Sequence, residues 1–232
     1  LRRGIRYHVI ERSPSLRALL RKRLRGKATI HADVASALKA TGGSAFILSN
    51  ELVDAFPVRV FRNKQELFLS LRNGIVAEEW HAPHDLPDST QFITPRNPAQ
   101  RLEIHDSYRT FMAHWLPFFK KGKLTTIDYG GTASEIYHRK PDGTLRAYYR
   151  HQCLTGPDIY RLPGRQDLTA DVNFDDLIFW GEQDGLSSVR LTTQHDYCQR
   201  WHIMTKPTPE NSFLTDPAGA GSAFKVLEQE RI

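Results

Sequence analysis

The sequence predicts an α/β protein built on parallel βαβ units and carrying an antiparallel insertion. Three observations support this. Strand-like and helix-like stretches alternate across residues 5–48 with short turns between them, the pattern of a parallel sheet. Several apolar runs end in acid-bearing turns: Glu11, Asp33, Asn50-Glu51 with Asp54, and Asp128. After Pro57 the residues alternate, and Arg72-Asn73-Gly74 marks a turn between two such runs.

Residues 5–10 read as a strand ending in Glu11. Ser13-Pro14 then opens a helix, because serine is a good N-cap and proline suits the first helical position. Leu16, Leu19, Leu20 and Leu24 recur at helical spacing, and Gly26 stops the run. A short strand at 28–31 ends at Asp33, a helix follows at 34–40, and the apolar run 45–48 is the third strand. The insertion holds strands near 59–61, 66–71 and 75–80. A Pro-, His- and Asp-rich loop at 81–97 follows, a candidate mobile segment over a site. Residues 98–119 read as one amphipathic helix, with Tyr108, Phe111, Met112, Trp115 and Leu116 on its apolar face. A buried strand at 124–127 ends in Asp128-Tyr129-Gly130-Gly131. Residues 132–170 read as irregular. A helix at 174–183, capped by Asn173, precedes two closing strands at 189–193 and 224–229.

Hydrophobic residues make up 40% of the 232, enough for a sizeable core. The chain reads as one domain over 1–232, with the insertion and loop at 58–97. The formal net charge is +6, with the positive residues concentrated between Arg2 and Lys27. No aromatic platform is interleaved with them, so a solvated helix face is favoured over a nucleic-acid surface. Cys153 and Cys198 lack metal-ligand or redox spacing, which suggests a reducing compartment. The ten histidines show no metal-binding spacing, and no GxSxG or Cys–His arrangement suggests a covalent nucleophile. No apolar run approaches a membrane span, and no signal peptide is visible. The chain begins with Leu1, so its start reads as internal.

In an open α/β sheet, ligands bind outside the carboxyl ends of the strands, which is where these acidic tips converge. Glu11, ending an early strand, suits the hydrogen bonding of ribose hydroxyls; Asp33 could meet an adenine amino group. Either acid could instead cap a helix. A nucleotide-binding sheet of this kind needs a Gly-rich turn after its first strand, and nothing before Glu11 supplies one.

The segments YHVIERSPSLR, SNELVDAFPV, LTTIDYGG, GTLRAYYRH, PGRQDLTADVNF and AFKVLEQ occur in this order. Together they resemble the MidA family of S-adenosylmethionine-dependent methyltransferases, which includes a mitochondrial complex I assembly factor that methylates an arginine. The resemblance implies a Rossmann-like, seven-stranded methyltransferase fold with its last strand inserted antiparallel. Its first βα unit, with the Gly-rich cofactor loop, would be missing, so this chain is expected to bind the cofactor weakly or not at all. It implies that Glu11 holds the cofactor ribose and that Asp33 lies near the adenine. Asn50, Glu51 and Asp54 would line the pocket beside the methyl group and the incoming substrate, and Asp128 and Tyr129 would border the same cleft. His151 could fold over it, as could Asp167 and Thr169; Thr169 reads better as a loop-locking hydrogen bond. Asp171 departs from the family, which often has histidine there. The implied partner is a protein with a target arginine, in the bacterial cytoplasm or the mitochondrial matrix.

The chemistry asks for such residues. A guanidinium is cationic, and paired carboxylates can hold it bidentately. Glu51 and Asp54 lie three apart and would share a face if the turn after the strand were helical. Alternatively, the two carboxylates cap a helix. Two other functions stay open: a nicotinamide-dependent oxidoreductase, since Glu11 would serve that ribose equally well, and a non-catalytic protein-binding fragment.

Overall fold

The computed structural model describes residues 4–93, 97–203 and 208–232, without the side chains of 209–211. Strand β1 (His8–Ile10), helix α1 (Pro14–Leu24) and strand β2 (Thr29–His31) form the first unit, with β1 and β2 parallel. Ser13 caps α1 by accepting from the Leu16 N–H, and Pro14 stands at the first helical position. Helix α2 (Val34–Ala40) is capped by Asp33 and leads into β3 (Ser44–Asn50).

The insertion comprises β4 (Arg59–Arg62), β5 (Gln65–Arg72) and β6 (Ile75–His81). The β5–β6 turn sits at Asn73 and Gly74, both with positive φ, as a two-residue hairpin requires. The expected helix at 98–119 is corrected in its first part. Residues Leu102–Ile104 form β7, antiparallel to β4, so the sheet order is β6-β5-β4-β7. Glu103 points into the interior and is bound there by Thr144, which commits this stretch to extended backbone. Helix α3 (Asp106–Trp115) begins only after it and ends before Pro117.

The central strand is β8 (Lys121–Gly131), longer than its apolar run suggested. It pairs in parallel with β3 over residues 44–50, and further along the same direction with the short β12 (Val172–Asn173). Its other edge carries β14 (Phe224–Arg231), antiparallel, and beyond that β13 (Ser187–Thr193). Gly130 allows the β12 contact: at φ +148 a side chain there would run into the Val172 carbonyl.

Residues 132–170, expected to be irregular, instead contain helix α4 (Ala133–Ile136) and strands β9 (Arg146–Tyr149), β10 (Gln152–Leu154) and β11 (Asp167–Thr169), in the order β10-β9-β11. The β9–β10 turn is made by Arg150 and His151, both left-handed, with no Asn-Gly pair to betray it. Helix α5 (Phe174–Gln183) is capped by Asn173 as expected. Helices α6 (Gln194–Arg200), α7 (Pro209–Thr215) and α8 (Ala220–Ala223) fill the connection between β13 and β14. The core joins α3, α5 and the inner sheet face through Tyr108, Met112, Trp115, Leu124, Phe174 and Trp180. Among the described residues no helix is long and apolar enough to cross a membrane.

Candidate active site

The site forms where β3 and β8 end side by side. Asn50 pairs with Ile127, so the residues after β3 meet Asp128. The helical turn on which a shared face for Glu51 and Asp54 depended does not form. Glu51 adopts a left-handed backbone at φ +46, and the chain folds so that the N–H groups of Leu52, Val53 and Asp54 all point at one Asp128 oxygen, at 3.2, 3.0 and 3.3 Å. The other Asp128 oxygen accepts from the Tyr129 N–H at 3.0 Å. Asp128 is fully buried. Burial, then the nearby charge of Asp54, pushes its carboxyl up to about 7, while the N–H donors pull the other way.

This fold-back places Asp54 against two hydroxyls. One of its oxygens accepts from Tyr129 Oη and, at 2.9 Å, from Thr169 Oγ1, and the two hydroxyl oxygens lie beside each other. The second oxygen, Oδ1, is buried and accepts nothing among the described residues. Asp54 and Thr169 lie on the wall of a cavity of about 340 Å³ whose remaining lining is mostly apolar: Phe56, Pro57 and Val58 after the turn, Leu67 and Leu69 from β5, and Leu145, Tyr160 and Leu168 from the β9–β11 region. A buried carboxylate oxygen with no donor is costly until a donor group meets it. Burial, first, and Asp54, second, raise the Tyr129 phenol, so it remains a donor.

The other expected residues lie elsewhere. Asn50 is exposed at the end of β3, and its amide donates to the carboxylate of exposed Glu51 at 3.2 Å. Glu11 accepts from the Ser13 N–H at 2.7 Å, which spends one of its oxygens on the turn into α1. Asp33 accepts from the Ser36 N–H at 2.7 Å as the cap of α2. His151 is exposed in the β9–β10 turn. Thus Asp54, Tyr129, Thr169 and Asp128 are brought together, while Glu51 stands outside that hydrogen-bonded group.

Sequence reasoning missed three groups, two of them buried and Arg146 partly so. His105, 3% exposed, has an Nε2 with no partner among the described residues, and burial lowers it to about 4 against the charges of Asp54 and Asp171. Glu103 is pushed up to about 7 by burial. Arg146 lays its guanidinium over the Tyr129 ring, 4.9 Å from the centroid. Only Arg146 had a signal, as a charge beside tyrosines in a predicted motif.

The fold resembles that of a COG1565 superfamily member from Burkholderia thailandensis bound to S-adenosyl-homocysteine. The TM-score is 0.81 and the identity 22%, over 97% of this chain and 64% of that chain. A native structure of an uncharacterized ACR, COG1565 superfamily protein from the same organism matches with the same TM-score and identity, over 97% of this chain and 66% of that one. At this identity the likeness shows the fold, and the chain spans about two thirds of the length of these neighbours. No curated protein matches the chain. Residues 1–192 match the model of the family described as "Putative S-adenosyl-L-methionine-dependent methyltransferase", and the chain belongs to that family.

Proposed function

We propose that the protein is an S-adenosylmethionine-dependent methyltransferase of the MidA type, acting on an arginine nitrogen of a protein. The observation that carries the acceptor side is Asp54 itself: the residue lines an apolar cavity, and its buried Oδ1 has no donor among the described residues. A guanidinium on a methylene stem matches both features: the stem lies along the leucines and the cationic fork meets the carboxylate. Asp54 orients the reacting nitrogen. Tyr129 and Thr169 hold Asp54 by its other oxygen, so it cannot turn away. Asp128 fixes the turn that carries Asp54 and takes that positioning role in place of ligand contact. Exposed Glu51, beside Asn50 at the rim, can pair with the incoming cation.

The cofactor supplies an electrophilic methyl group when bound. The residues at the strand tips fit it chemically. Glu11 keeps one carboxylate oxygen for the ribose, Asn50 offers an amide at the end of β3, and Asp33 stands at the tip of the next strand for the adenine. We place the two parallel sections in one doubly wound, seven-stranded sheet, with a strand position between β1 and β3 for the Gly-rich first unit of the family. Among the described residues β3 pairs only with β8, and its Phe46 and Leu48 are 85% and 71% exposed, as suits an edge that receives a further strand and its cover.

A differential thermal shift of the full-length protein with S-adenosylhomocysteine against NADH tests this reading. Stabilisation by S-adenosylhomocysteine is expected; stabilisation by NADH alone contradicts it.

A further inference from the structure

Arg146 centres a charged group that makes no hydrogen bond to Asp54 and does not line the Asp54 cavity. Arg146 donates from Nη1 to Asp171 at 2.7 Å and to the Thr144 carbonyl at 3.0 Å, and from Nε to the Tyr148 hydroxyl at 3.3 Å. The second Asp171 oxygen accepts from Lys140 at 2.8 Å, and the Asp171 N–H donates to Thr144 Oγ1 at 2.9 Å. Lys140, Arg146 and Asp171 line a separate cavity of about 640 Å³. The Arg146 guanidinium also lies over the Tyr129 ring, while Phe224 meets that ring edge-on, with centroids 5.6 Å apart at 89°. The ring is therefore clamped, and its hydroxyl, together with that of Thr169, occupies one oxygen of Asp54.

We infer that Arg146 and Asp171 are positioning residues for the acceptor site: they hold the Tyr129 phenol against Asp54, so that one carboxylate oxygen is occupied and the other is left without a donor. This rests on the cavity being the acceptor pocket. The planar fork matters. Arginine can donate from two nitrogens while presenting a flat face to the ring; a lysine keeps the charge but loses the fork and the stacked face. Asp171 sets the plane of that fork, and Lys140, on its second oxygen, keeps the carboxylate from rotating. A simple latch for the β9–β11 region would need Arg146 and Asp171 too, but it would leave Tyr129 unaffected.

The test uses the full-length protein and its variants Arg146→Lys, Asp171→Asn, Tyr129→Phe and the Arg146→Lys/Tyr129→Phe double. In NMR of ¹³C-tyrosine-labelled protein, the Tyr129 resonance is assigned by its loss in Tyr129→Phe. It is expected to move toward the value of an exposed tyrosine in both Arg146→Lys and Asp171→Asn. The second readout is the affinity for a capped arginine, N-acetyl-arginine-methylamide, with S-adenosylhomocysteine present. Arg146→Lys and Tyr129→Phe should each weaken binding about tenfold, the scale of one lost hydrogen bond, and the double variant should be no weaker than either. Additive losses overturn the inference, as does a Tyr129 resonance that stays in place in both charged-group variants. If capped arginine fails to bind the unmodified protein, the arginine reading fails, and the Tyr129 resonance alone decides the positioning claim.

Discussion

Replacing Asp128 separates two roles for one carboxylate. As a ligand contact it would be dispensable for folding; as an anchor it holds four backbone N–H groups. In Asp128→Ala the N–H groups of Val53 and Asp54 stay buried and lose their acceptor. Those of Leu52 and Tyr129 are partly buried and can find water. An orphaned buried donor costs about 1–3 kcal/mol, so the two together cost about 2–6 kcal/mol, a large part of a typical total of about 5–15 kcal/mol. Asp128→Asn keeps one carbonyl oxygen for the three converging N–H groups and turns its NH₂ toward only the Tyr129 N–H, so it costs about 1–3 kcal/mol. Urea unfolding at pH 8, above the raised value of about 7 for Asp128, measures both, with the midpoint as readout at unchanged slope. A loss below about 1 kcal/mol in the alanine variant refutes the anchoring argument.

Glu51→Gly should stabilise the protein by about 0.5–1 kcal/mol, because φ +46 is unfavourable for a residue with a Cβ; a lower melting temperature contradicts this. In the full-length protein, Asp54→Asn should abolish binding of capped arginine in calorimetry while leaving S-adenosylhomocysteine affinity within about twofold; retained arginine binding removes Asp54 from the acceptor role. Glu103 gives a pH signature. Its folded pKa, about 7, lies above its unfolded value, so its contribution is full below about pH 4 and is lost as pH rises through 7. Buried His105, lowered to about 4, works oppositely: its contribution is present above about pH 6.5 and is lost as pH falls toward 4. In Glu103→Gln the stability-versus-pH slope between pH 5 and 6.5 should become more positive by up to about 1.4 kcal/mol per pH unit; an unchanged slope in denaturant titrations contradicts the shift.

Much of the scaffold was legible because its signals are local. Ser13-Pro14 and Asn173 cap the helices they were expected to cap, Asp33 takes the capping alternative left open beside adenine contact, and alternation with Asn73-Gly74 marked the β5–β6 hairpin. The errors come from non-local terms. Residues 102–104 look helical beside the strong α3 face, but pairing with β4 and the burial of Glu103 against Thr144 fix them as strand. The β9–β11 sheet has a turn of two ordinary residues forced left-handed, which no propensity reveals. At the site, spacing suggested that Glu51 and Asp54 act as a pair. That grouping assumed a helical turn, whereas the N–H groups of residues 52–54 instead converge on an acid 74 to 76 positions away. The partners of Asp54, Tyr129 and Thr169, lie 75 and 115 positions along the chain, and Arg146 reaches the site only through a ring.

The central claim is that Asp54, held by Tyr129 and Thr169, receives an arginine for methylation. Its most direct test incubates the full-length protein and its Asp54→Asn variant with isotopically labelled S-adenosylmethionine and candidate acceptor proteins, and identifies the labelled residue by mass spectrometry. The account predicts labelled methylarginine with the unmodified protein and none with the variant. Label on lysine or on a small molecule, or equal labelling by both proteins, contradicts it.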